Sequence, residues 1–239
     1  MSPVRGTAGA AAWRRRFDAV LFDLDGTLVE TAPDLCNALN HALARLERPG
    51  IDLLEIRAMI GDGARAMLTK ATARAPLTPE QFENGFTWLL EHYWEHVAVD
   101  SRPFDGVAAS LESLRRQAAR LAVVTNKPAG LSNRLLDLLD LAAPFEAVVG
   151  ADSLAVRKPD AGHILGTLEL LDTAPDRAVM VGDSANDVKA ARNAGVPVIA
   201  VSFGYTTTPA HALGADLVID HFDELEPALN SLAEAPSPA

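Results

Sequence analysis

The segment Ala19-Val20-Leu21-Phe22-Asp23-Leu24-Asp25-Gly26 constrains this chain more than any other. Five of the six residues from Ala19 to Leu24 are apolar, and a short run of this kind reads as a strand buried on both faces. It ends in two carboxylates one residue apart, followed at once by Gly26. Charges so close repel, and burial disfavours both ionised forms. A bound cation, or a proton kept by one of the acids, removes that cost. The segment therefore predicts a site that binds metal and carries out acid–base chemistry.

Similar apolar runs recur at 121–124, 147–149, 178–181 and 198–201, with a shorter one at 217–219. Between the later runs, 105–120, 129–139, 160–171 and 184–194 carry apolar residues at helical spacing, and a last helix is expected near 223–232. Strands alternating with helices predict right-handed crossovers and a Rossmann-like α/β fold, a parallel sheet flanked by helices. Residues 32–103 break this rhythm. No strand is evident there; Phe82, Phe86, Leu89, Tyr93 and Val97 mark one helix face, and Leu35, Leu39, Ala42, Leu43 and Leu46 another. This region is expected to be an inserted α-helical cap of four helices, with Pro33 and Pro103 near its hinges. The catalytic core then comprises 17–31 and 104–232. Residues 1–16, rich in Ala and Gly and ending in three arginines, are expected to form a disordered extension, and 233–239 a flexible tail. The apolar run after the arginines is short and holds Asp23 and Asp25, which makes a poor export-signal core.

A formal net charge of −11 over 239 residues argues against bulk attraction to nucleic acid or an anionic membrane. No stretch approaches the roughly 20 apolar residues of a membrane span. A small anionic substrate then needs its positive partners placed locally. Cys36 is the single cysteine, so no internal disulfide can form and a reducing cytoplasm is the expected setting. The sequence leaves monomer and homodimer equally open.

Ligands of an open parallel sheet bind at the carboxyl ends of its strands, and four polar clusters fall at or just past such ends. They are Asp23 with Asp25, Thr125-Asn126-Lys127-Pro128, Arg157-Lys158-Pro159 and Gly182-Asp183-Ser184-Ala185-Asn186-Asp187. Together they compose a phosphoryl-transfer site. Asp23, at the end of a rigid strand, suits attack on phosphorus. Asp25 suits protonation of the leaving oxygen and then deprotonation of water. Magnesium prefers oxygen ligands, which Asp23, the backbone carbonyl of Asp25 and Asp183 offer. The Thr125 hydroxyl and the Asn126 N–H suit phosphoryl oxygens, and Lys158 suits the charge on that group and on Asp23. Each cluster alone has a plainer reading. An acid after a strand often caps the next helix, although capping needs one acid and not two. Thr125 and Asn126 could be turn residues, and Lys158 a solvated lysine. Ser184 and Asp187 already form a Ser-x-x-Asp helix start, which leaves Asp183 for metal. Asp187 reads equally as a cap and as support for the metal site.

Within the helical region, Gly61-Asp62-Gly63-Ala64-Arg65 interrupts the helices. It reads as a substrate-closing loop with Arg65 as a carboxylate partner, or equally as a helix–helix turn. The six histidines show no metal-ligand spacing.

These residues resemble the haloacid dehalogenase-like superfamily of phosphatases. Asp23-Leu24-Asp25-Gly26-Thr27-Leu28 is similar to its first motif, and Thr125, Lys158 and Gly182–Asp187 to its second, third and fourth, in the same order. The resemblance implies a Rossmann-like core with a helical cap, Asp23 as nucleophile, Asp25 as general acid/base and Mg2+ as cofactor. Gly26, Asn126, Gly61, Gly63 and Arg65 are the residues expected to bind phosphate or substrate. Within the superfamily the chain looks most similar to bacterial phosphoglycolate phosphatases, through Val124–Pro128, Ile60–Gly63 and Ser202-Phe203-Gly204-Tyr205. Where such phosphatases commonly carry a second proline after the Lys-Pro of the third motif, this chain has Ala161-Gly162-His163 behind Asp160. The implied activity is Mg-dependent hydrolysis of a small phosphomonoester such as 2-phosphoglycolate. The alternatives are a phosphosugar mutase, or a phosphatase for another sugar phosphate or a nucleotide. A hydrolytic dehalogenase would not need Asp25 and Asp183.

Overall fold

β1 (Ala19–Phe22) runs through the middle of a six-stranded parallel sheet in the computed structural model, which describes residues 11–235. The other strands are β4 (Arg120–Val124), β5 (Ala147–Val149), β6 (Ala178–Gly182), β7 (Val198–Val201) and β8 (Leu217–Ile219), in the order β5-β4-β1-β6-β7-β8. All four residues of β1 are buried, as the unbroken apolar run requires. Their side chains alternate between two layers. Val20 and Phe22 pack with Leu111 and Leu114 of α5 (Val107–Arg116) and Leu225 and Leu229 of α9 (Leu225–Glu234). Ala19 and Leu21 pack with Ile164 and Leu168 of α7 (Ala161–Leu170) and Val188 of α8 (Ala185–Ala194). α6 (Ala129–Leu138) follows β4.

The strand order reverses between β1 and β6. The chain leaves β1 for β4 and β5 on one side, and leaves β6 for β7 and β8 on the other. A crevice opens at the carboxyl ends of strands at such a switch point. Asp23 follows β1 and Asp183 follows β6, so the topology alone puts these two carboxylates at its mouth.

Four helices lie between β1 and the strands that follow: α1 (Ala32–Arg45), α2 (Leu53–Arg57), α3 (Ala64–Ala71) and α4 (Pro79–Glu95). Local chemistry starts two of them. Asp52 and Glu55 cap α2 reciprocally, as do Thr78 and Gln81 for α4, where Pro79 takes the first turn. Leu35, Leu39 and Leu43 of α1 and Leu89 and Tyr93 of α4 are buried in the same apolar cluster as the sheet face. The two chain crossings into this lobe are stitched by β2 (Val29–Glu30) and β3 (Arg102–Pro103), an antiparallel pair. Two residues are too few to leave a periodic trace, so β3 has no signature in the residue pattern. Asp34 adds a second stitch, accepting the N–H groups of Asp100 and Ser101 and the Ser101 hydroxyl.

The disordered extension expected over 1–16 does not hold for its last residues. Ala12–Arg15 form a 3-10 turn and Trp13 is fully buried. Its indole N–H donates to Gln117 and its backbone N–H to Asn230, so one large aromatic closes the seam between α5 and α9. Residues 1–10 lie outside the described residues. The tail expected over 233–239 does not hold for its first two residues, which belong to α9; residues 236–239 lie outside the described residues. Among the described residues no helix is long and apolar enough to cross a membrane.

Candidate active site

Asp23 continues the β1 ladder, its N–H donating to the Val181 carbonyl at 2.9 Å. Thr125 does the same after β4, donating to Val149 at 3.0 Å. The loops therefore leave the sheet in step. Lys158 reaches the cluster from the segment before α7. Its Nζ lies 2.9 Å from Asp23 Oδ1 and 2.6 Å from Asp187 Oδ1. His163 fixes the base of that loop: its Nδ1 accepts the Lys158 N–H at 3.2 Å and its Nε2 faces the Gly150 carbonyl at 3.2 Å. These partners select the neutral tautomer with the proton on Nε2. Burial, then the nearby Lys158 charge, pulls the imidazole down to about 4.

Asp23, Asp183 and Asp187 each present an oxygen within 4.8 Å of the others, and all three are buried. Burial pushes the Asp23 carboxyl up to about 6 against the pull of Lys158, and raises Asp183 well above the ordinary carboxylate range. Burial works against the Lys158 charge, but Asp187 and Asp23 outweigh it and the net shift is upward. Three carboxylates thus face one ammonium, and the surplus negative charge with all-oxygen donors fits a hard divalent cation. Asp187 is already engaged: its Oδ2 accepts from Ser184 N–H and Oγ, and its Oδ1 from Lys158. It both caps α8 and anchors the lysine. Asp23 and Asp183 keep more open capacity.

The Asp25 side chain turns away from this cluster and pairs with Lys127 Nζ at 2.8 Å. Lys127 is the site residue that the sequence reading does not single out, and its signal was its place directly after Thr125-Asn126. It is buried, donates to the Tyr93 hydroxyl at 2.6 Å and sits 4.4 Å from that ring's centroid. Among the described residues the N–H groups of Asp25 and Asn126 find no protein acceptor. Asn126 spends its side-chain amide on the carbonyls of Gly61 (2.9 Å) and Lys158 (3.0 Å). It bridges lobe and core.

Two residues expected to touch substrate stand elsewhere. Gly26 has φ +83° and its N–H is bonded to the Val29 carbonyl. A Cβ there would come within 2.6 Å of Asp183 Oδ2, so Gly26 makes room for Asp183 instead. Arg65 pairs with Glu83 on the outside of the lobe and lies over Phe82 and Phe86. Ala64 and Met67, three apart, line the cavity, which puts Arg65 on another face of α3. Gly61 and Gly63 do line it, together with Asp23, Asp25, Thr125 and Lys127.

A family model described as haloacid dehalogenase-like hydrolase matches residues 20–201. The chain belongs to the haloacid dehalogenase-like hydrolases. This hydrolase is 46% identical over 222 residues to a phosphoglycolate phosphatase of Caulobacter vibrioides, covering 92% of this chain and 94% of that one. It is 44% identical over 211 residues to a phosphoglycolate phosphatase of Agrobacterium fabrum, covering 87% and 91%. A crystal structure described as a predicted phosphoglycolate phosphatase from Haemophilus somnus matches with a TM-score of 0.85 at 30% identity, over 89% of this hydrolase and 97% of that chain. The hydrolase is an enzyme of the phosphoric monoester class.

Proposed function

We propose that this hydrolase is a cytoplasmic, Mg2+-dependent phosphatase that converts 2-phosphoglycolate to glycolate and phosphate through an aspartyl phosphate on Asp23, with the helical lobe (32–103) acting as a cap. One observation carries the reading. Two separate ammonium groups serve the cavity: Lys127 lines it beside Asp25, and Lys158 stands behind Asp23, which also lines it. A small substrate with a phosphoryl group at one end and a carboxylate at the other matches that pair. The remaining wall is largely apolar, with Leu35, Ile60, Met67 and Leu89 among its residues, and the cavity measures about 40 Å3, which favours a compact ligand. The names of the relatives point to the same substrate.

In this reading Asp23 attacks phosphorus, the bond from phosphorus to the glycolate oxygen breaks, and Asp25 gives that oxygen a proton. Asp25 then takes a proton from the water that attacks phosphorus. The bond to Asp23 breaks, and phosphate leaves with the carboxylate restored. Thr125 Oγ1 and the N–H groups of Asp25 and Asn126 receive the phosphoryl oxygens, while Lys158 offsets their charge. Asp23, Asp183 and the Asp25 carbonyl would hold Mg2+, which supplies positive charge to the carboxylates and the phosphoryl group when bound.

The test is phosphate release from a panel of phosphomonoesters, with and without Mg2+. 2-Phosphoglycolate is expected to lead, with glycolate formed one for one, and Asp23→Asn to lower turnover by about 10^4-fold or more, on the scale of losing a covalent nucleophile. Undiminished Asp23→Asn activity, or substrate loss without phosphate release, would overturn the reading; the latter is what a mutase does.

A further inference from the structure

Ser202-Phe203-Gly204-Tyr205 follows β7, and none of the hydrolytic steps uses it. Tyr205 is buried and works at both ends. Its backbone N–H donates to Asp183 Oδ2 at 2.7 Å. Its hydroxyl accepts the N–H groups of Thr31 (2.6 Å) and Ala32 (3.0 Å), where the chain passes from β2 into α1, and donates to Glu30 Oε1 at 2.7 Å. A phenol hydroxyl has one proton and two acceptor sites, so its capacity is filled. Glu30 in turn holds Arg57 of α2 at 2.7 Å. The approach to Asp183 depends on Gly204, since a Cβ there would lie 2.2 Å from the Asp183 Cβ. On the other side, a Cβ on Gly26 would strike the Tyr205 ring at 2.8 Å.

We infer that Tyr205 is a positioning residue that ties the Asp183 carboxylate to the hinge of the helical lobe, so that an ion held by Asp183 and the set of the hinge are coupled. The inference rests on Asp183 being a metal ligand, as proposed above. The path is short: Asp183 carboxylate, Tyr205 backbone, Tyr205 hydroxyl, Thr31 and Ala32 amides. Any shift of Asp183 toward a cation moves the Tyr205 backbone with it, and the rigid ring carries that movement to the start of α1.

Hydrogen exchange of the Thr31 and Ala32 amides, with Mg2+ alone as the probe, tests this. In the wild-type protein Mg2+ is expected to slow exchange at both amides. In Tyr205→Phe, which keeps the backbone N–H to Asp183, basal exchange is expected to rise about tenfold at Thr31, the scale of a lost hydrogen bond, and less at Ala32, whose N–H also donates to Glu30 Oε1 at 3.2 Å. The response to Mg2+ at those amides is expected to disappear, while the Mg2+ affinity read by calorimetry stays within about threefold. Glu30→Ala removes the acceptor of the phenolic proton and leaves Tyr205 in place; it is expected to weaken the same response, and serves if Tyr205→Phe does not fold. Wild-type protein that binds Mg2+ without any change at Thr31 and Ala32 would overturn the coupling alone. So would an undiminished response in the variants. Absence of Mg2+ binding would overturn the metal reading and the coupling together.

Discussion

Lys158 and Arg65 each stand in an ion pair, one on the core rim and one on the helical lobe, and their surroundings differ at every point. The Lys158 side chain is 1% exposed and meets two carboxylates that are 8% and 0% exposed. Arg65 is 49% exposed and its partner Glu83 61%. Lys70 and Asp62 repeat the exposed pattern on the lobe. A buried charge is tolerated only when fully met, and at the rim Lys158 is met by two carboxylates. An exposed pair contributes about 0–1 kcal/mol, so the lobe can vary its outer charges while its inner face stays apolar. In the proposed function, chemistry is fixed at the rim and the lobe selects by shape. Lys127 is where the two meet, since it bonds Asp25 of the core and Tyr93 of α4.

The strongest way to break this contrast is Lys158→Met. It leaves Asp23, Asp183 and Asp187 facing one another without compensation. Turnover is expected to fall by about 10²–10³-fold, and stability in urea by about 3–5 kcal/mol. A loss below tenfold would mean that the rim is not organised around this lysine. Lys127→Met comes next. It should lower kcat/KM for 2-phosphoglycolate by about 10- to 100-fold, the range of a charged hydrogen bond. Ethyl phosphate, which lacks the carboxylate, should change by no more than about threefold. Equal losses on both substrates would assign Lys127 to holding Asp25 and not to selecting the substrate.

The rim was legible in the sequence because strand ends announce themselves: an apolar run stops and polar residues begin. Asp23, Thr125 and Asp183 sit at such breaks, and the switch in strand order brings the loops after β1 and β6 together. The lobe was legible only as helices. Nothing in the spacing of Gly61–Arg65 says which way Arg65 points, because one residue along α3 turns the side chain by about 100°. β3 is too short to show a period, and Trp13 is a single aromatic in an otherwise featureless stretch. Lys127 was hidden by its company, since a lysine beside Asn and Pro reads as a turn. His163 lay behind the departure from the usual proline and gave no metal spacing, yet it braces Lys158.

A smaller effect sharpens that last point. The folded-state value of His163, about 4, lies below the ordinary 6.5, so the unfolded chain takes up the proton first. The neutral imidazole therefore contributes fully above about pH 6.5, and its contribution fades as pH falls toward 4. Thermal unfolding of the wild-type protein is expected to lose more between pH 6.5 and 4 than that of His163→Gln. Parallel curves would remove His163 from the brace.

Arg65→Ala is expected to do least, and its smallness tests the lobe directly. One of the two readings open from the sequence makes Arg65 a carboxylate partner, in which case its removal should cost phosphoglycolate more than an aryl phosphate. The structure instead spends the guanidinium on Glu83 and the faces of Phe82 and Phe86. An exposed pair of this kind contributes up to about 1 kcal/mol, and a cation over an exposed ring about 0.5–1 kcal/mol. Stability should therefore fall by no more than about 1–2 kcal/mol, and kcat/KM for either substrate should stay within about twofold. A selective tenfold loss on phosphoglycolate would show that α3 rotates or the loop at Gly61 moves when substrate enters, and that the lobe supplies charge as well as shape.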